Sequence, residues 1–587
     1  MVFLLVDPFS WNQSAFVINC REKKFVATYK MLILVGATLV LSHEQSRATL
    51  ENVITELAPI AADHLFLLLL STVVLSLVAF LASRVSKKKS SSNATEKKQG
   101  AYGAVQTHGH SVWDQISRPG EVAAACHLLY EKKFSKAGKG VATKLHEELW
   151  DHLNKTSRSF AAVIRILPAP DVSDAVCVFY LLLRALDTIE DEMDLEKFEE
   201  FKKEGETPLE AKVRLLCEFH NLLDTDESKI HTFPLEQVLK SRIGAAAERA
   251  LLLAVPRLIE GFHQVKQGTV IKNIVRDMGK GMSEYVVRDM HLGTRDEIDY
   301  DRYCHIVAGL VGKGLTEIFC NLGYEDESLI NDFAAWNSMG LLLQRTNITR
   351  DVCEDAAEGR SWWPQSIWQS GEQAATELGS LRDISILNKM VCNALQLIPE
   401  ATRYLDRLSD PSIFGFCALP QIMAVATLAV CYNNPNVFTG VVKIRQGQAA
   451  KLALSLRGRT IVSARKNYKR EAALLVDEIR VTALGAGDAD TVACCERALE
   501  ALGMTKKQRK NLITTTNAQI AFYYLVFLVL GWMARNYVTV AASAMKRIEM
   551  LAGGDAGLMI GYSMAGACLV GASVIGMAKQ TLLHVKS

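Results

Sequence analysis

The sequence has little net charge, little proline and no paired cysteines of the kind that bind zinc. Its 66 basic and 64 acidic residues leave a formal net charge of +2 over 587 residues, so no basic excess points to nucleic acid as a partner. The 13 cysteines include no CxxC spacing. This pattern argues against a disulfide framework or a zinc site and favours reduced thiols in a cytosol-facing domain.

The sequence also lacks the common glycine-rich nucleotide-binding motifs. No GxGxxG follows a strand-like run, and the glycines of GLVGKGLT, at 309–316, do not have the spacing of a phosphate-binding P-loop. Over 111–505 apolar residues instead recur three and four positions apart, with only scattered proline. A chain of this length has room for a large core with appendages, so the sequence predicts an all-α helical bundle over this range.

A long apolar run precedes the helical region. LFLLLLSTVVLSLVAFLA, at 65–82, contains 18 residues and no charge, which is just long enough to cross a bilayer. The run predicts a transmembrane helix over 65–83, with a buried core helix as the alternative. A basic linker rich in serine and lysine follows over 84–110, so the domain after it is expected to face the cytosol.

Two further charge-free runs lie near the C-terminus. They predict transmembrane helices over 514–534 and 556–578, although Arg535 and other basic residues between them weaken the case for a simple hairpin. The second run is rich in glycine and alanine, which suits close helix packing in lipid. The N-terminal segment over 1–64 has no clear role; its run MLILVGATLVL resembles a short signal-type region, and Met31 is an alternative start.

A stripe of polar residues interrupts an apolar run with helical periodicity. Within AVCVFYLLLRALDTIEDEMD, at 175–194, Tyr180, Arg184, Asp187 and Asp191 are spaced by four, three and four residues. These spacings place the four side chains on one face of a helix. Two carboxylates four residues apart repel each other by roughly a few tenths of a kcal/mol even in water, and more when buried, unless a cation compensates.

A second stripe repeats the pattern. In LLLQRTNITRDVCED, at 341–355, Gln344, Asn347, Asp351 and Asp355 also share one helical face. Either acid pair alone is typical of a solvated helix end, but two matched DxxxD pairs beside arginines favour a shared Mg²⁺ site. Because guanidinium groups bind phosphate oxygens in a bidentate manner, the sequence predicts a Mg²⁺–diphosphate clamp inside the helical bundle.

Seven sequence blocks that cover most of 145–450 carry a family resemblance. They are NKTSRSFAAVI, FYLLLRALDTIEDEM, YCHIVAGLVG, NSMGLLLQRTNITRDVCED, GRSWWPQSIW, FGFCALPQIMAVATLAVCYNN and VVKIRQGQA. In this order they resemble the squalene synthases, head-to-head isoprenoid synthases of the squalene/phytoene synthase family. DxxxD alone is shared with many prenyl synthases, whereas WWP, FGFCALPQ and KIRQGQ, together with the apolar tails, favour the squalene branch over phytoene synthases.

The resemblance implies an isoprenoid-synthase-type helical bundle with N- and C-terminal transmembrane helices. It implies that two farnesyl diphosphates condense, with Mg²⁺, to presqualene diphosphate, which is then rearranged and reduced by NADPH to squalene. It further implies a monomeric catalytic domain over 111–505 on the cytosolic side of the endoplasmic reticulum membrane. The implied partners are the substrate and membrane lipid, with no nucleic acid.

Matching positions in this sequence carry the roles that the resemblance implies. Magnesium would be held by Asp187, Glu190, Asp191, Asp351 and Asp355. The diphosphate would contact Arg158, Tyr180, Arg184, Arg350 and Arg360. Tyr303 would be the essential tyrosine of the first step, and Phe416 the aromatic side chain that lines the second-step pocket. NADPH would contact Asn347, Lys443 and Arg445.

Two positions depart from the family pattern. Glu192 stands where relatives often have aspartate, which keeps the charge and leaves the DxxxD pair intact. Ile306 stands where a second tyrosine is common, which affects the expected shape of the pocket near Tyr303.

Two other functions remain open on the sequence. One is a phytoene- or dehydrosqualene-type synthase, which condenses without reduction; the basic KIRQGQ block and the apolar tails argue against it. The other is a non-catalytic membrane protein that binds prenyl diphosphates; the complete acid pairs and Tyr303 argue against it. Simpler explanations also exist for single residues, since Tyr303 and Phe416 suit a packed core, and Lys443 with Arg445 suits a solvated basic patch.

Overall fold

Helices form nearly all of the regular structure in the described part of the chain. Apolar residues three and four positions apart drive this, because each helix buries one face against its neighbours. The all-α domain expected from the sequence is therefore confirmed for the described residues. The computed structural model describes residues 105–111, 114, 118–134, 144–244, 246–370, 381–458 and 460–504, all within the unit Lys97–Tyr523.

The elements follow one another through short connections. In chain order they are β1 (Thr107–His108), α1 (Pro119–Phe134), α2 (Lys144–Thr156), α3 (Arg158–Ile164), α4 (Pro170–Glu190), α5 (Pro208–Glu218), α6 (Glu227–Ile230), α7 (Leu235–Lys240), α8 (Ala246–Leu253), α9 (Val255–Gln264), α10 (Gly268–Val286), α11 (Glu297–Cys304), α12 (Leu310–Asn321), α13 (Phe333–Arg350), α14 (Val352–Ala357), α15 (Gln365–Trp368), α16 (Ile384–Leu395), α17 (Ile398–Arg407), α18 (Pro411–Cys431), β2 (Val441–Val442), α19 (Gln446–Ser455), α20 (Ile461–Ala486) and α21 (Ala489–Ala501). Turns of 3₁₀ helix span Leu195–Phe201, Phe219–Leu223, Glu327–Leu329 and Pro435–Phe438, and a π-helical turn spans His305–Gly309.

Local sequence determines where the helices near the cavity begin. Pro170 lies in the first turn of α4, where a missing N–H costs no helical hydrogen bond. Thr207 and Glu210 form a capping box at the start of α5, in which each side chain bonds to the backbone N–H of the other residue. Asp410 accepts a hydrogen bond from the backbone N–H of Ser412 at 2.7 Å and so caps α18.

α13 is the central helix of the bundle. It packs against α11, α12, α16, α17 and α18, and it is buried on most sides, as expected of a helix with apolar residues around its circumference. On the other side of the bundle, α4 and α10 pack against each other. A large cavity lies among these helices.

Two close backbone approaches near the cavity depend on glycine. A side chain at Gly340 in α13 would meet the carbonyl oxygen of Ala308 in the π-helical turn. Gly244 has a φ of +81°, which favours glycine, and its N–H donates to Glu192 Oε2 at 3.0 Å. A side chain there would also meet Thr188 of α4. These glycines let backbone segments lie directly against the elements that carry the acid motifs.

The strand β1 lies just before the predicted start of the helical domain and pairs in parallel with β2. Thr107 pairs with Val441 and His108 with Val442. His110 Nε2 also donates to the carbonyl of Lys443 at 2.7 Å. A boundary at 111 therefore leaves out residues that are hydrogen-bonded to the domain, and two-residue strands give no periodic signal by which the sequence would show them.

One helix in the described part of the chain, α18, is long and apolar enough to cross a membrane. It has 21 residues and a mean hydropathy of 2.0, and 67% of its most apolar window is buried within the protein. Because α18 packs against α13 and α20, it is a core helix of the bundle. The transmembrane helices predicted over 65–83, 514–534 and 556–578, and the segment 1–64, lie outside the described residues.

Candidate active site

A cavity of about 670 Å³ lies among α3, α4, α10, α12, α13, α17 and α18. It brings together most of the residues predicted from the two stripes and from the family resemblance. Those that line it are Tyr180, Arg184, Asp187, Glu190, Asp191, Tyr303, Asn347, Arg350, Asp351, Asp355, Arg360 and Phe416. Arg158 begins α3, and its side chain lies outside the described part of the chain.

The first acid pair lies at the C-terminal end of α4. Arg184, one turn earlier, places Nη1 3.7 Å from Asp187 Oδ2 and 3.6 Å from Asp191 Oδ2. Its Nη2 lies 2.6 Å from Oε1 of Glu248 in α8. One guanidinium group thus contacts three carboxylates, and by itself it balances only part of their negative charge.

The second acid pair lies where α13 ends and α14 begins. Arg350 forms a two-pronged ion pair with Asp351, with Nε–Oδ1 and Nη2–Oδ2 distances of 2.6 and 2.5 Å. Asp355, one turn later, has Oδ1 3.6 Å from Nε of Arg360. Nη1 of the same arginine lies 2.7 Å from Oδ1 of Asp191. Arg360 therefore links the two acid motifs directly.

Burial raises the pKa values of three acidic side chains at the site, Asp187, Glu190 and Asp355. The pKa of Asp187 rises to about 7 and that of Asp355 to about 7, because of burial first and of neighbouring carboxylates second, although Arg184 and Arg360 act in the opposite sense. The pKa of buried Glu190 rises to about 8 for the same reasons. Since a bound cation stabilises the charged form of a carboxyl, this group of partly buried acids favours a cation beside them.

The acid motifs fit a metal ion that is shared with a phosphate ligand. Among the described residues, no three carboxylate, imidazole or thiol groups converge closely enough to hold a metal ion by themselves. Mg²⁺ typically binds one or two protein carboxylates and fills its remaining positions with water and substrate phosphate. The residues suit this mode, because two carboxylates from each motif line the same cavity as three arginines that match phosphate oxygens.

Tyr303, near the end of α11, lies close to the acid residues. Its ring stacks on Trp362, with centroids 3.8 Å apart and planes 7° apart, and it meets Tyr285 edge-on at 5.0 Å. Burial, followed by the negative charge of Glu190, raises the pKa of Tyr303 well above its ordinary value. The π-helical turn His305–Gly309 begins two residues later, and such turns are frequent at functional sites.

The remainder of the cavity wall is apolar and aromatic. Phe416 meets Phe319 edge-on, with ring centroids 5.8 Å apart, and Phe160 stacks on Tyr180 at 5.0 Å. Aromatic ring faces attract cations, and thioether side chains adapt to irregular hydrocarbon. This wall suits a long hydrocarbon chain and excludes water from it. The aliphatic and methionine side chains of the wall include Met278, Met282, Val311, Leu315, Met339 and Leu343.

Of the three residues predicted to contact NADPH, Asn347 lines the cavity, whereas Lys443 and Arg445 do not. Arg445 donates to both carboxylate oxygens of Glu121 in α1, at 2.9 and 2.8 Å, and Glu121 is only 8% exposed. Lys443 directly follows β2, and its carbonyl accepts the hydrogen bond from His110. The two basic residues thus lie at the junction of the strand pair with α1, and Arg445 is not a solvated surface residue.

The two departures from the family pattern do not line the cavity. Oε2 of Glu192 accepts hydrogen bonds from Lys197 Nζ at 2.7 Å and from the backbone N–H of Gly244 at 3.0 Å. Glu192 therefore anchors two neighbouring segments, and the longer side chain reaches both donors. Ile306 is 6% exposed and packs against Gly281, where any side chain would collide with it.

Three residues beside the site were not predicted from the sequence. Glu248 contacts Arg184 although the two residues lie 64 positions apart in the sequence, and helical periodicity does not relate residues so far apart. Trp362 belongs to the block GRSWWPQSIW, but its stacking on Tyr303 is visible only in the tertiary structure. Lys212 did leave a signal, because it shares a helical face with the buried residues Leu215 and Leu216 of α5.

Comparisons with known proteins give consistent matches. The family model described as squalene/phytoene synthase matches residues 153–448. The squalene synthase of Mus musculus is 42% identical over 321 residues, which are 54% of this chain and 70% of that protein. Squalene synthase ERG9 of Candida albicans is 39% identical over 356 residues, 58% of this chain and 74% of that protein. Squalene synthase 1 of Arabidopsis thaliana is 40% identical over 337 residues, 55% and 75% of the two chains.

A solved structure shares the fold. The complex of TcSQS with the ligand BPH1237 matches with a TM-score of 0.53 and 32% identity, over 62% of this chain and 99% of that one. The family match spans about half of the chain and contains both acid motifs, Tyr303 and Phe416. The chain therefore belongs to the squalene/phytoene synthase family.

Proposed function

We propose that this protein is a squalene synthase, which condenses two farnesyl diphosphates head to head to presqualene diphosphate and reduces that intermediate to squalene. One observation carries the proposal. A single cavity of about 670 Å³ is lined by two acid motifs, their arginines, Tyr303 and an extended apolar wall. The relatives in mouse, Candida and Arabidopsis that bear the name squalene synthase are 42%, 39% and 40% identical to it.

In the first step, the charged residues act on the diphosphate group. Asp187, Asp191, Asp351 and Asp355 would hold Mg²⁺, which would supply positive charge to stabilise the departing diphosphate. Arg184, Arg350 and Arg360 bind phosphate oxygens with the same guanidinium groups that pair with the site carboxylates in this structure. Tyr303 is protonated at neutral pH, as phenols ordinarily are, and its O–H would donate a hydrogen bond to a phosphate oxygen.

In the second step, the apolar wall protects a carbocation from water. Phe416 is 5% exposed and presents an aromatic ring, whose face attracts positive charge. Bound NADPH would supply the hydride for the reduction. We assign the contacts with its polar groups to Asn347, Lys443 and Arg445, as the family resemblance implies.

We further propose that the catalytic domain is a monomer on the cytosolic side of the endoplasmic reticulum membrane, anchored by the segments 65–83, 514–534 and 556–578. The support is the length of these charge-free runs and the basic residues beside them. Such an anchor would place release of a nearly insoluble hydrocarbon product next to lipid.

The test is product analysis with the full-length protein, farnesyl diphosphate and Mg²⁺, with and without NADPH. We expect presqualene diphosphate to accumulate without NADPH and squalene to form with it. A dehydrosqualene- or phytoene-type product that ignores NADPH would identify a synthase without the reductive step. Tight binding of farnesyl diphosphate without any conversion would identify a non-catalytic binding protein, and either result would overturn the proposal.

A further inference from the structure

Lys212 is a buried lysine beside the end of the first acid motif. It lies in α5 and is only 3% exposed. Its Nζ donates hydrogen bonds to the carbonyl oxygens of Glu190 and Glu192, at 2.7 and 2.8 Å. Because an ammonium group is costly to remove from water, a buried lysine needs compensating contacts, and here those contacts are the backbone on either side of Asp191.

Several groups with negative or partial negative charge meet at the C-terminal end of α4, beside the ammonium group of Lys212. The last carbonyl groups of a helix have no partners within the helix, and together they carry partial negative charge. α4 ends at Glu190, and the acidic side chains of Asp187, Glu190, Asp191 and Glu192 crowd the same place. Lys212 supplies both hydrogen-bond donors and a positive charge to this helix end.

The position of Lys212 is itself well determined. The capping box of Thr207 and Glu210 fixes the first turn of α5, just before the lysine. The ammonium lies 5.7 Å from the ring centroid of Phe198, whose face attracts it. α5 also packs against α10 and against the 3₁₀ turn Leu195–Phe201. Because these contacts fix its position, Lys212 can fix the positions of the two carbonyl groups to which it donates.

We infer that Lys212 is a positioning residue: by fixing the backbone on both sides of Asp191, it sets the direction of the first acid pair toward the cavity. The inference rests on the proposed function, in which those carboxylates bind Mg²⁺ together with diphosphate. Lys212 itself does not line the cavity, so it acts through Glu190 and Asp191 and not on the substrate.

The alternative is that Lys212 acts only through its charge. The two roles predict opposite effects on metal binding. A cation that merely lies near the acid pair repels Mg²⁺, so its removal would tighten metal binding. A positioning residue orients the ligands, and loss of a residue that orients metal ligands typically costs about 10–100-fold in metal affinity.

The experiment measures binding of Mg²⁺ in the presence of inorganic diphosphate by isothermal titration calorimetry, on the full-length chain in detergent. For Lys212→Met, which removes the ammonium group and keeps an unbranched side chain one atom shorter, we expect the dissociation constant to rise at least about tenfold. Lys212→Arg, which keeps the charge and the donors, should restore part of the affinity. The matched control is Lys272→Met in α10, which removes an ion pair with Asp224 at 2.5 Å and should leave the affinity unchanged.

An unchanged or lower dissociation constant in Lys212→Met would overturn the inference. If that variant does not fold, Lys212→Gln removes the charge and shortens the side chain but keeps an amide NH₂ group at the buried position. A rise in the dissociation constant is again expected, and an unchanged or lower constant overturns the inference. Failure of the inference is distinguishable from failure of the proposed function, because a chain that does not condense farnesyl diphosphate would show this in the unsubstituted protein.

Discussion

Arg360 Nη1 lies 2.7 Å from Oδ1 of Asp191, a residue 169 positions earlier in the chain. The same guanidinium group lies near Asp355, with Nε 3.6 Å from Oδ1, and contacts Glu358 Oε2 at 2.9 Å. One arginine thus connects the end of α4 with α14, the two places where the sequence has its acid pairs. We therefore expect Arg360 to hold the two acid motifs in their relative positions.

We expect Arg360→Lys to lower the rate of condensation by about 100-fold, the order seen when one preorganised electrostatic donor is removed from a transition state. A lysine ammonium is a point charge and cannot span three carboxylates as a planar fork does. The control is Arg302→Lys, because Arg302 pairs with Glu284 at 2.6 Å and its side chain is 55% exposed. Equal rates of diphosphate release for both variants would contradict the role of Arg360.

The acid pairs give the second prediction. Asp187→Asn and Asp351→Asn each remove a carboxylate charge while nearly keeping shape, and each should reduce first-step activity by at least about 100-fold. Asp406→Asn serves as control, since Asp406 pairs with Lys469 at 2.7 Å and its side chain is 38% exposed. The measurement is release of diphosphate from farnesyl diphosphate at saturating Mg²⁺. Near-normal release in either site variant would refute the clamp.

Raised carboxyl pKa values predict how metal binding depends on pH. The pKa of Asp187 rises from 3.8 to about 7 in the folded protein. Between about pH 4 and pH 7, the folded state therefore holds a proton that the unfolded state has lost. The ligand-free protein should therefore lose stability as pH rises from about 4 through about 7. Below about pH 7 a metal ion must displace the proton from Asp187 before it can bind there.

For one carboxyl of this kind, the apparent dissociation constant of Mg²⁺ with diphosphate should be about tenfold higher at pH 6 than at pH 8. Calorimetry at pH 6, 7 and 8 measures it directly. Asp187→Asn binds more weakly overall, but it should show a smaller pH dependence than the unsubstituted chain. An equal pH dependence in both proteins would place the titrating group elsewhere.

Helical spacing predicted which residues belong to the site better than it predicted which of them contact each other. Periodicity shows which residues share a face, so Tyr180, Arg184, Asp187 and Asp191 could be grouped from the sequence alone. It does not show which faces meet, because pairing across the bundle depends on tertiary packing. The contact between Arg184 and Glu248 on α8 is an example that no local rule gives.

Other features could not be predicted for related physical reasons. The pairing of β1 with β2 joins two-residue strands, which are too short to show alternation. The ion pair of Arg445 with Glu121 joins residues 324 positions apart. From the sequence, Glu192 looked like a variant of the acid motif, yet its contacts with Lys197 and Gly244 make it a structural anchor.

The strand pair predicts how far the catalytic domain extends. A soluble fragment over 105–505 retains β1 and the hydrogen bond from His110 to the carbonyl of Lys443, whereas a fragment over 111–505 lacks both. Both should be helical by circular dichroism and active, with Tm higher by about 2 °C in the longer fragment. Equal Tm values would show that the pairing adds nothing. Folded fragments that are inert while the full-length protein works would show that the tails do more than anchor.

The last prediction concerns the reductive step. Lys443 and Arg445 form a compact basic pair, and a point charge beside a guanidinium fork suits phosphate groups such as those of NADPH. Condensation needs the acid pairs but no hydride, so replacing both basic residues by alanine should spare condensation and let presqualene diphosphate accumulate. Two lost charge-assisted contacts, at roughly 1.5–3 kcal/mol each, would raise the NADPH requirement by about 100-fold or more.

The ion pair of Arg445 with Glu121 provides a control variant for that experiment. Arg445 is paired with Glu121, so removal of the arginine also leaves a carboxylate that is 8% exposed without its partner, which by itself costs stability. Glu121→Gln removes the negative charge of the ion pair and keeps both basic residues. If Lys443 and Arg445 bind NADPH, this control should make squalene at the normal NADPH midpoint, whereas the double variant should not. A double variant with a normal midpoint, or a control with the same shift, would mean that the pair only holds α1 against the strand pair.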